Sequence, residues 1–237
     1  MSKLDGQTVV VLGGSAGMGL ETARMARAEG ADVVITGRNA DRLKQAAAEV
    51  DALSTAAFDA TDPVQLRGFF DGCPGPIDHV FVTAGGPYYG LLGDLDLEDA
   101  ARHIGLELTL PLHVARAAIG KVRGSLTFIG GTGAKRPGPG LIVTSAMTNA
   151  QPSLIAGLAI EIAPIRVNLV AAGFVDTPLS ATLLGDDLDA RREQLRATLP
   201  IGRVIGPEDI ARLAVHLMTN TALTGATYDI DGGEQLV

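Results

Sequence analysis

What this sequence lacks narrows it first. It holds a single cysteine, Cys73, so no intrachain disulfide can form and a reducing compartment suits it. Positive charge is not in surplus: 19 Lys and Arg stand against 27 Asp and Glu, a formal net charge of −8. That balance argues against a nucleic-acid partner and disfavours an anionic membrane surface. No apolar run approaches the ~20 residues of a membrane span, and the stretch 154–165 is interrupted by Glu161. The first residues, Met-Ser-Lys-Leu-Asp-Gly, carry no apolar signal region. A cytoplasmic protein with no nucleic-acid and no membrane partner is expected.

What is present suits one large domain. The chain has 237 residues, 46% hydrophobic and 19% charged, which is globular rather than disordered and ample for a core. Candidate strands are 9–12, 32–36, 55–58, 79–83, 125–129, 166–170 and 227–230. Helical stretches lie between them near 18–29, 40–51, 63–71, 96–120, 142–163 and 207–219. Strands buried on both faces read as unbroken apolar runs, and helical crossovers require parallel pairing. The expectation is α/β: a doubly wound parallel sheet of about seven strands in a single domain spanning 1–237. The segment 178–206 breaks the rhythm and reads either as a substrate lid or as a surface helix pair.

The apolar run Thr8–Leu12 enters a glycine-rich loop, Gly13-Gly-Ser15-Ala16-Gly17-Met18-Gly19, and helix-forming residues follow at once. A strand, a tight turn and a helix N-terminus together make an anion site, because unpaired N–H groups and the helix dipole meet there. Gly13–Gly17 also fits G-x-S-x-G, the nucleophile elbow of a serine hydrolase, although that elbow normally lies deeper in a chain. After the second strand comes Thr36-Gly37-Arg38-Asn39, with no acid and one arginine. An acid there binds a ribose 2′-hydroxyl, whereas an arginine accommodates a 2′-phosphate, so NADP(H) is favoured over NAD(H). Asp59 ends the third strand, where its carboxylate reads either as an acceptor for an adenine amine or as a cap for the next helix.

Taken together, these residues resemble the short-chain dehydrogenase/reductase family over nearly the whole chain. The landmarks are Gly13–Gly19, Asp59, Thr83-Ala84-Gly85-Gly86, Ile165–Asn168, Ala172-Gly173-Phe-Val175-Asp-Thr177-Pro178 and Thr224-Gly225 with Asp231–Gly233. The resemblance implies a Rossmann-type sheet that binds NAD(P)(H) and reduces carbonyls or oxidises alcohols, commonly as a homodimer or homotetramer. It implies that Gly13, Ser15, Ala16, Gly17, Met18, Gly19, Arg38, Asp59, Ala60, Ala84, Gly85, Gly173, Val175 and Thr177 line the cofactor.

The departures sit at the chemistry. The family uses a Tyr-x-x-x-Lys pair, a Ser and an Asn. Counting back from Ala159–Pro164 puts the Tyr position on Thr144 and the Lys position on Thr148. The Ser position falls on Gly131 and the Asn position on Glu107, and the enoyl-reductase spacing reaches Leu141 instead. A threonine has no accessible ionisation near neutrality, and losing a general acid costs a factor on the order of 10²–10⁴. Replacement candidates are Tyr88 or Tyr89 at the cleft mouth, Thr132 beside the missing Ser, Thr144 itself, and Glu107 in an apolar helix. His103 lies one turn before Glu107, but no third ligand is apparent, and no metal is expected. Pro152 falls inside the fifth helix, where it predicts a kink, or a helix starting near 152 with 144–151 irregular.

Three functions remain compatible with a cofactor site lacking the usual acid–base pair. One is an atypical NADP(H)-dependent oxidoreductase for a small carbonyl, imine or enone. The others are an NADP(H)-binding sensor or regulatory partner without turnover, and a non-redox dehydratase or isomerase in the same cleft.

Overall fold

The structure is a computed structural model, and it describes residues 2–237. Seven parallel strands form one sheet in the order β3-β2-β1-β4-β5-β6-β7. They are β1 (Thr8–Leu12), β2 (Asp32–Gly37), β3 (Ser54–Ala57), β4 (Ile77–Val82), β5 (Val122–Gly131), β6 (Arg166–Ala172) and β7 (Thr227–Ile230). The helices are α1 (Gly17–Ala28), α2 (Ala40–Val50), α3 (Pro63–Gly72), α4 (Leu97–Ala118), α5 (Ile142–Glu161), α6 (Pro178–Leu184), α7 (Leu188–Thr198) and α8 (Pro207–Thr219). All seven expected strands are present, shifted by no more than a few residues at their ends. Among the described residues, no helix is long and apolar enough to cross a membrane.

Why the strands read as unbroken apolar runs is visible in β1. Val9 and Val11 face one layer, packed with Ala23 and Ala26 of α1, Leu43 of α2 and Ile210 of α8. Val10 and Leu12 face the other, packed with Phe70 of α3, Val114 of α4 and Ile155 of α5. Each such fully buried side chain contributes about 1.5–3 kcal/mol, and alternate residues serve opposite layers. The chain lays β1, β2 and β3 outward in one direction and then returns to place β4 on the other side of β1. At such a reversal the crossover helices leave a crevice beyond the carboxyl ends of the strands.

The break expected at Pro152 does not occur. α5 runs from Ile142 to Glu161 straight through Pro152, just as α4 runs through Pro111. Proline removes only the hydrogen bond its own nitrogen would have donated and crowds the carbonyl four residues back, at about 3 kcal/mol. Burial of Val143, Met147, Ile155 and Leu158 along the same helix outweighs that. Thr144, Thr148 and Gln151 are buried with them and therefore share one continuous helix.

His79, on β4, is buried and has both ring nitrogens occupied. Nδ1 lies 2.8 Å from Ser125 Oγ, and Nε2 lies 2.8 Å from Gln7 Oε1. Burial pushes its pKa down to about 4, helped by Arg166 and opposed by Asp78. The unfolded chain therefore binds a proton near pH 6.5 that the native state refuses. Stability is full above that value and falls by about 3 kcal/mol as pH drops toward 4. Urea midpoints measured at pH 7 and pH 5 check this. The decline should flatten in His79→Asn, and equal slopes in the two proteins would show that His79 is not its source.

Candidate active site

The glycine loop leaves β1 and turns directly into α1. Gly13 and Gly17 have φ of +95° and +52°, a region open to glycine. Gly19 is glycine for a different reason: a Cβ there would collide with the Gly13 carbonyl oxygen and lie 2.9 Å from Thr83 Oγ1. Thr83 itself donates to the carbonyls of Gly13 (3.0 Å) and Leu12 (3.2 Å), tying the end of β4 to the loop. Ala16 stands at the N-cap of α1 with no side-chain cap, so the first-turn N–H groups have no side-chain acceptor. A tight glycine turn, closed by N–H donors without a side-chain cap, fits a dinucleotide diphosphate. Ser15 makes no hydrogen bond among the described residues, which leaves the hydrolase reading without a base.

On the adenosine side, Arg38 is exposed at the end of β2 and forms no ion pair among the described residues. A Cβ on its neighbour Gly37 would lie 3.1 Å from Ser15 Oγ, so this strand end abuts the loop. Asp59 Oδ1 accepts from Thr61 N (2.9 Å) and Thr61 Oγ1 (2.8 Å), while Asp62 caps α3. Asp59 Oδ2 remains without a partner among the described residues. The Ala60 side chain is buried in the core with Leu66 and Phe70, which leaves only its backbone to meet a ligand.

Beyond the loop a cleft of about 880 Å³ opens over the carboxyl ends of β4, β5 and β6. It brings together Met18, Ala84, Gly85, Gly131, Thr132, Gly173, Val175 and Thr177 from four segments far apart in sequence. The 178–206 segment covers it: Leu179, Leu183 and Leu184 of α6 and Leu195 of α7 line the cleft. Arg192 of α7 pins that cover by a double hydrogen bond to Asp176 (2.8 and 2.7 Å).

The catalytic candidates separate here. Thr144 lines the cleft, but its hydroxyl donates to Tyr88 O (2.8 Å) and accepts from Tyr88 N (3.1 Å). Thr148 Oγ1 donates back to Thr144 O (2.9 Å). Both hydroxyl protons are thus spent on main chain. Tyr88 points away from the cleft, against His103 (ring centroids 5.2 Å apart), with its hydroxyl toward Asp96 O. Tyr89 is the tyrosine that lines the cleft. Thr132 also lines it, and its hydroxyl has no protein partner among the described residues.

Glu107, on α4, reaches the cleft floor. Its Oε1 accepts from Gly86 N at 2.9 Å, while His103, one turn earlier, meets Gly86 O through Nε2 at 2.7 Å. The two side chains grip the same residue from either side instead of pairing with each other. Gly85, at φ +106°, leaves the room this needs, since a Cβ there would collide with Glu107 Oε1. Burial pushes the Glu107 carboxyl above the usual carboxylate range, opposed by the Gly86 N–H and by His103.

A family model described as enoyl-(acyl carrier protein) reductase matches residues 13–235. The chain belongs to the short-chain dehydrogenase/reductase family. It is similar to a short-chain dehydrogenase/reductase of Stachybotrys chlorohalonatus, 28% identical over 98% of this chain and 98% of the relative. An inactive 2-(S)-hydroxypropyl-CoM dehydrogenase of Xanthobacter autotrophicus is 31% identical over 89% of this chain and 98% of its own. Among solved structures, the MalC reductase/Diels-Alderase of Malbranchea aurantiaca superposes with a TM-score of 0.90 at 26% identity, covering 100% of this chain and 99% of that one.

Members of the short-chain dehydrogenase/reductase family use nicotinamide cofactors. The four positions that the resemblance assigns to family chemistry, Glu107, Gly131, Thr144 and Thr148, all line the one cleft. Sequence reading missed its far wall. Glu234 pairs with Arg191 of α7 (2.5 Å), accepts from Phe174 N (3.3 Å), and offers its carbonyl to Arg136 (2.7 Å). These residues are separated by tens of positions along the chain, and no local pattern links them. Only the Asp231-Gly232-Gly233 landmark hinted that this segment returns to the site.

Proposed function

We propose that the protein is an atypical NADP(H)-dependent oxidoreductase acting on a small carbonyl, imine or enone without a Tyr/Lys acid–base pair. The observation that carries this reading is the continuity of one cleft. It runs from Met18, beside the uncapped N-terminus of α1, past Gly173–Thr177, to the apolar cover made by α6 and α7. The α1 N-terminus and glycine loop would hold the diphosphate, Arg38 a 2′-phosphate, Asp59 the adenine amine, and Gly173–Thr177 the nicotinamide end. A bound nicotinamide supplies or accepts a hydride.

The remaining work is proton handling and positioning. With the Thr144 and Thr148 hydroxyls engaged by main chain, Glu107 is the half-buried acid at the floor, and Thr132 offers a free hydroxyl for a substrate oxygen. Positioning alone can supply roughly 7–11 kcal/mol in favourable cases. The substrate is a small molecule, the working form a homodimer or homotetramer, and the location the cytoplasm.

Titrating NADPH by its fluorescence, then following a carbonyl, imine and enone panel at the cofactor absorbance, tests the reading. Failure to bind either dinucleotide would overturn it. Arg38→Ala should weaken NADPH at least about tenfold more than NADH, given that charge-assisted phosphate contacts are the strong ones. Equal losses would refute the 2′-phosphate assignment.

A second reading, a dinucleotide-binding protein without turnover, is favoured by the spent Thr144 and Thr148 hydroxyls and by the Xanthobacter relative named as inactive. Tight NADPH binding with no turnover across the panel selects it.

A further inference from the structure

The far wall of the cleft carries two arginines in unlike states. Arg191 of α7 is neutralised: its Nη2 pairs with Glu234 Oε1 (2.5 Å), its Nη1 meets Gln194 Oε1 (3.0 Å), and its guanidinium lies 5.8 Å from the centre of the Phe174 ring. Glu234 is filled in turn, since its Oε2 accepts from Phe174 N (3.3 Å). Arg136 follows the short turn Gly133–Lys135 that leaves β5, and Pro137 after it disfavours a helical backbone, so the turn stops there. Its guanidinium makes one hydrogen bond among the described residues, from Nη1 to the main-chain carbonyl of Glu234 at 2.7 Å. That acceptor is neutral. No carboxylate pairs with Arg136 among the described residues, whereas Lys135 beside it pairs with Asp229.

An arginine presents its N–H donors as a planar fork that matches a carboxylate. In Arg136 the edge formed by Nε and Nη2 is unused, while the bond from Nη1 holds the head against Glu234. The lining around it is largely apolar, with Leu141, Phe174, Leu183 and Leu195 among its side chains. Glu107, the remaining charged side chain of the lining, stands on α4 and is held by Gly86 N. Such a cleft concentrates the field of an unmatched charge on whatever enters it. Thr132 begins the turn that Arg136 ends, with Lys135 N donating to Thr132 O at 2.9 Å. One turn of this kind rises roughly 6 Å, a span that a small molecule bridges.

We propose that Arg136 sets substrate specificity, its Nε–Nη2 edge taking the carboxylate of a substrate whose reacting carbonyl, imine or enone lies at Thr132. The substrate class is then an apolar oxo acid, or the matching imine or enone acid, with its body under α6 and α7. The chemistry of this assignment rests on the oxidoreductase reading; the anion site does not. Arg191 adds no second contact, because Glu234 already occupies it.

The test compares the whole protein with Arg136→Met, which removes the charge, and Arg136→Lys, which keeps the charge and loses the fork. Arg136 is exposed, so neither change reaches the core. Arg196→Met, at an exposed arginine of α7 outside the cleft lining, is the control. Each member of the carbonyl, imine and enone panel is offered as the free carboxylate and as its methyl ester. Wild type and control should favour the acid by about 10–100-fold in kcat/KM, the range of a charge-assisted hydrogen-bonded pair. The ratio should fall to about one in Arg136→Met and stay intermediate in Arg136→Lys, with the change in KM, since a contact remote from the reacting atoms is made in ground and transition states alike. Calorimetry reads the site without turnover: phenylacetate should bind the wild type, phenylacetamide should not, and Arg136→Met should lose the difference. Equal use of acid and ester by the wild type, or a preference that survives in Arg136→Met, would overturn the proposal. With no turnover on the panel, phenylacetate binding that is lost in Arg136→Met overturns the oxidoreductase reading and leaves the anion site standing. Phenylacetate binding that is absent from the wild type, or unchanged in Arg136→Met, overturns the anion site.

Discussion

Gly19→Ala should cost NADPH affinity on the order of 100-fold while the chain still folds. A Cβ at this position meets the Gly13 carbonyl oxygen, which is backbone, and Thr83 Oγ1, which is held by two hydrogen bonds. Neither can swing aside as a flexible side chain would. Overpacking of this kind costs about 1–3 kcal/mol of stability, which a domain of this size survives. Relief has to come from the loop, and moving it displaces the N–H groups at the start of α1 that the proposed function assigns to the diphosphate. A misplacement of about 1 Å can cost roughly two orders of magnitude where geometry is tight. Gly105→Ala is the matched control, since nothing lies within 4 Å of a Cβ there. It should leave binding unchanged and add up to about 1 kcal/mol of helix stability. Fluorescence titration beside a thermal melt separates the two effects. Unchanged affinity in Gly19→Ala would show that this loop does not hold the phosphates.

The second large effect is expected at Glu107. Glu107→Gln keeps the shape and can still accept from the Gly86 N–H, but it has no proton to give. If Glu107 is the acid, kcat should fall by about 10²–10⁴ with NADPH affinity preserved. The sign of the pH dependence follows from the raised pKa. The acid form survives to higher pH than for an exposed glutamate, and activity declines as pH climbs through that raised value. The variant should lose this limb, leaving a flat residual rate. Turnover equal to wild type would return the role of proton donor to Tyr89 or to solvent. A drop that merely follows weakened cofactor binding would mark Glu107 as a clamp on Gly86.

Both experiments concern features of unequal legibility in the chain. The glycine loop could be read directly, because its three demands are local: a turn at Gly13, an N-terminus at Gly17 and close packing at Gly19. The strands were equally plain, since burial on both faces leaves an unbroken apolar run such as Val9–Leu12. The Pro152 expectation failed because local backbone cost was weighed without the burial that α5 gains along its length. Tyr88 and Tyr89 were indistinguishable in sequence. Their separation depends on loop direction, with Thr144 fastening the Tyr88 backbone and His103 taking its ring.

The sequence by itself determined the alternating α/β architecture, the glycine turn between β1 and α1 and the family, all of which are written in short-range patterns of burial, turn and cap. Tertiary structure alone decided which hydroxyls are already spent, which tyrosine meets the cleft, that Glu107 and His103 grip Gly86, and that Glu234 returns to close the far wall. The physical reason is one of range. Apolar periodicity and glycine conformation act within a few residues, whereas a hydrogen-bond partner is assigned only when segments distant in sequence compete for the same donor.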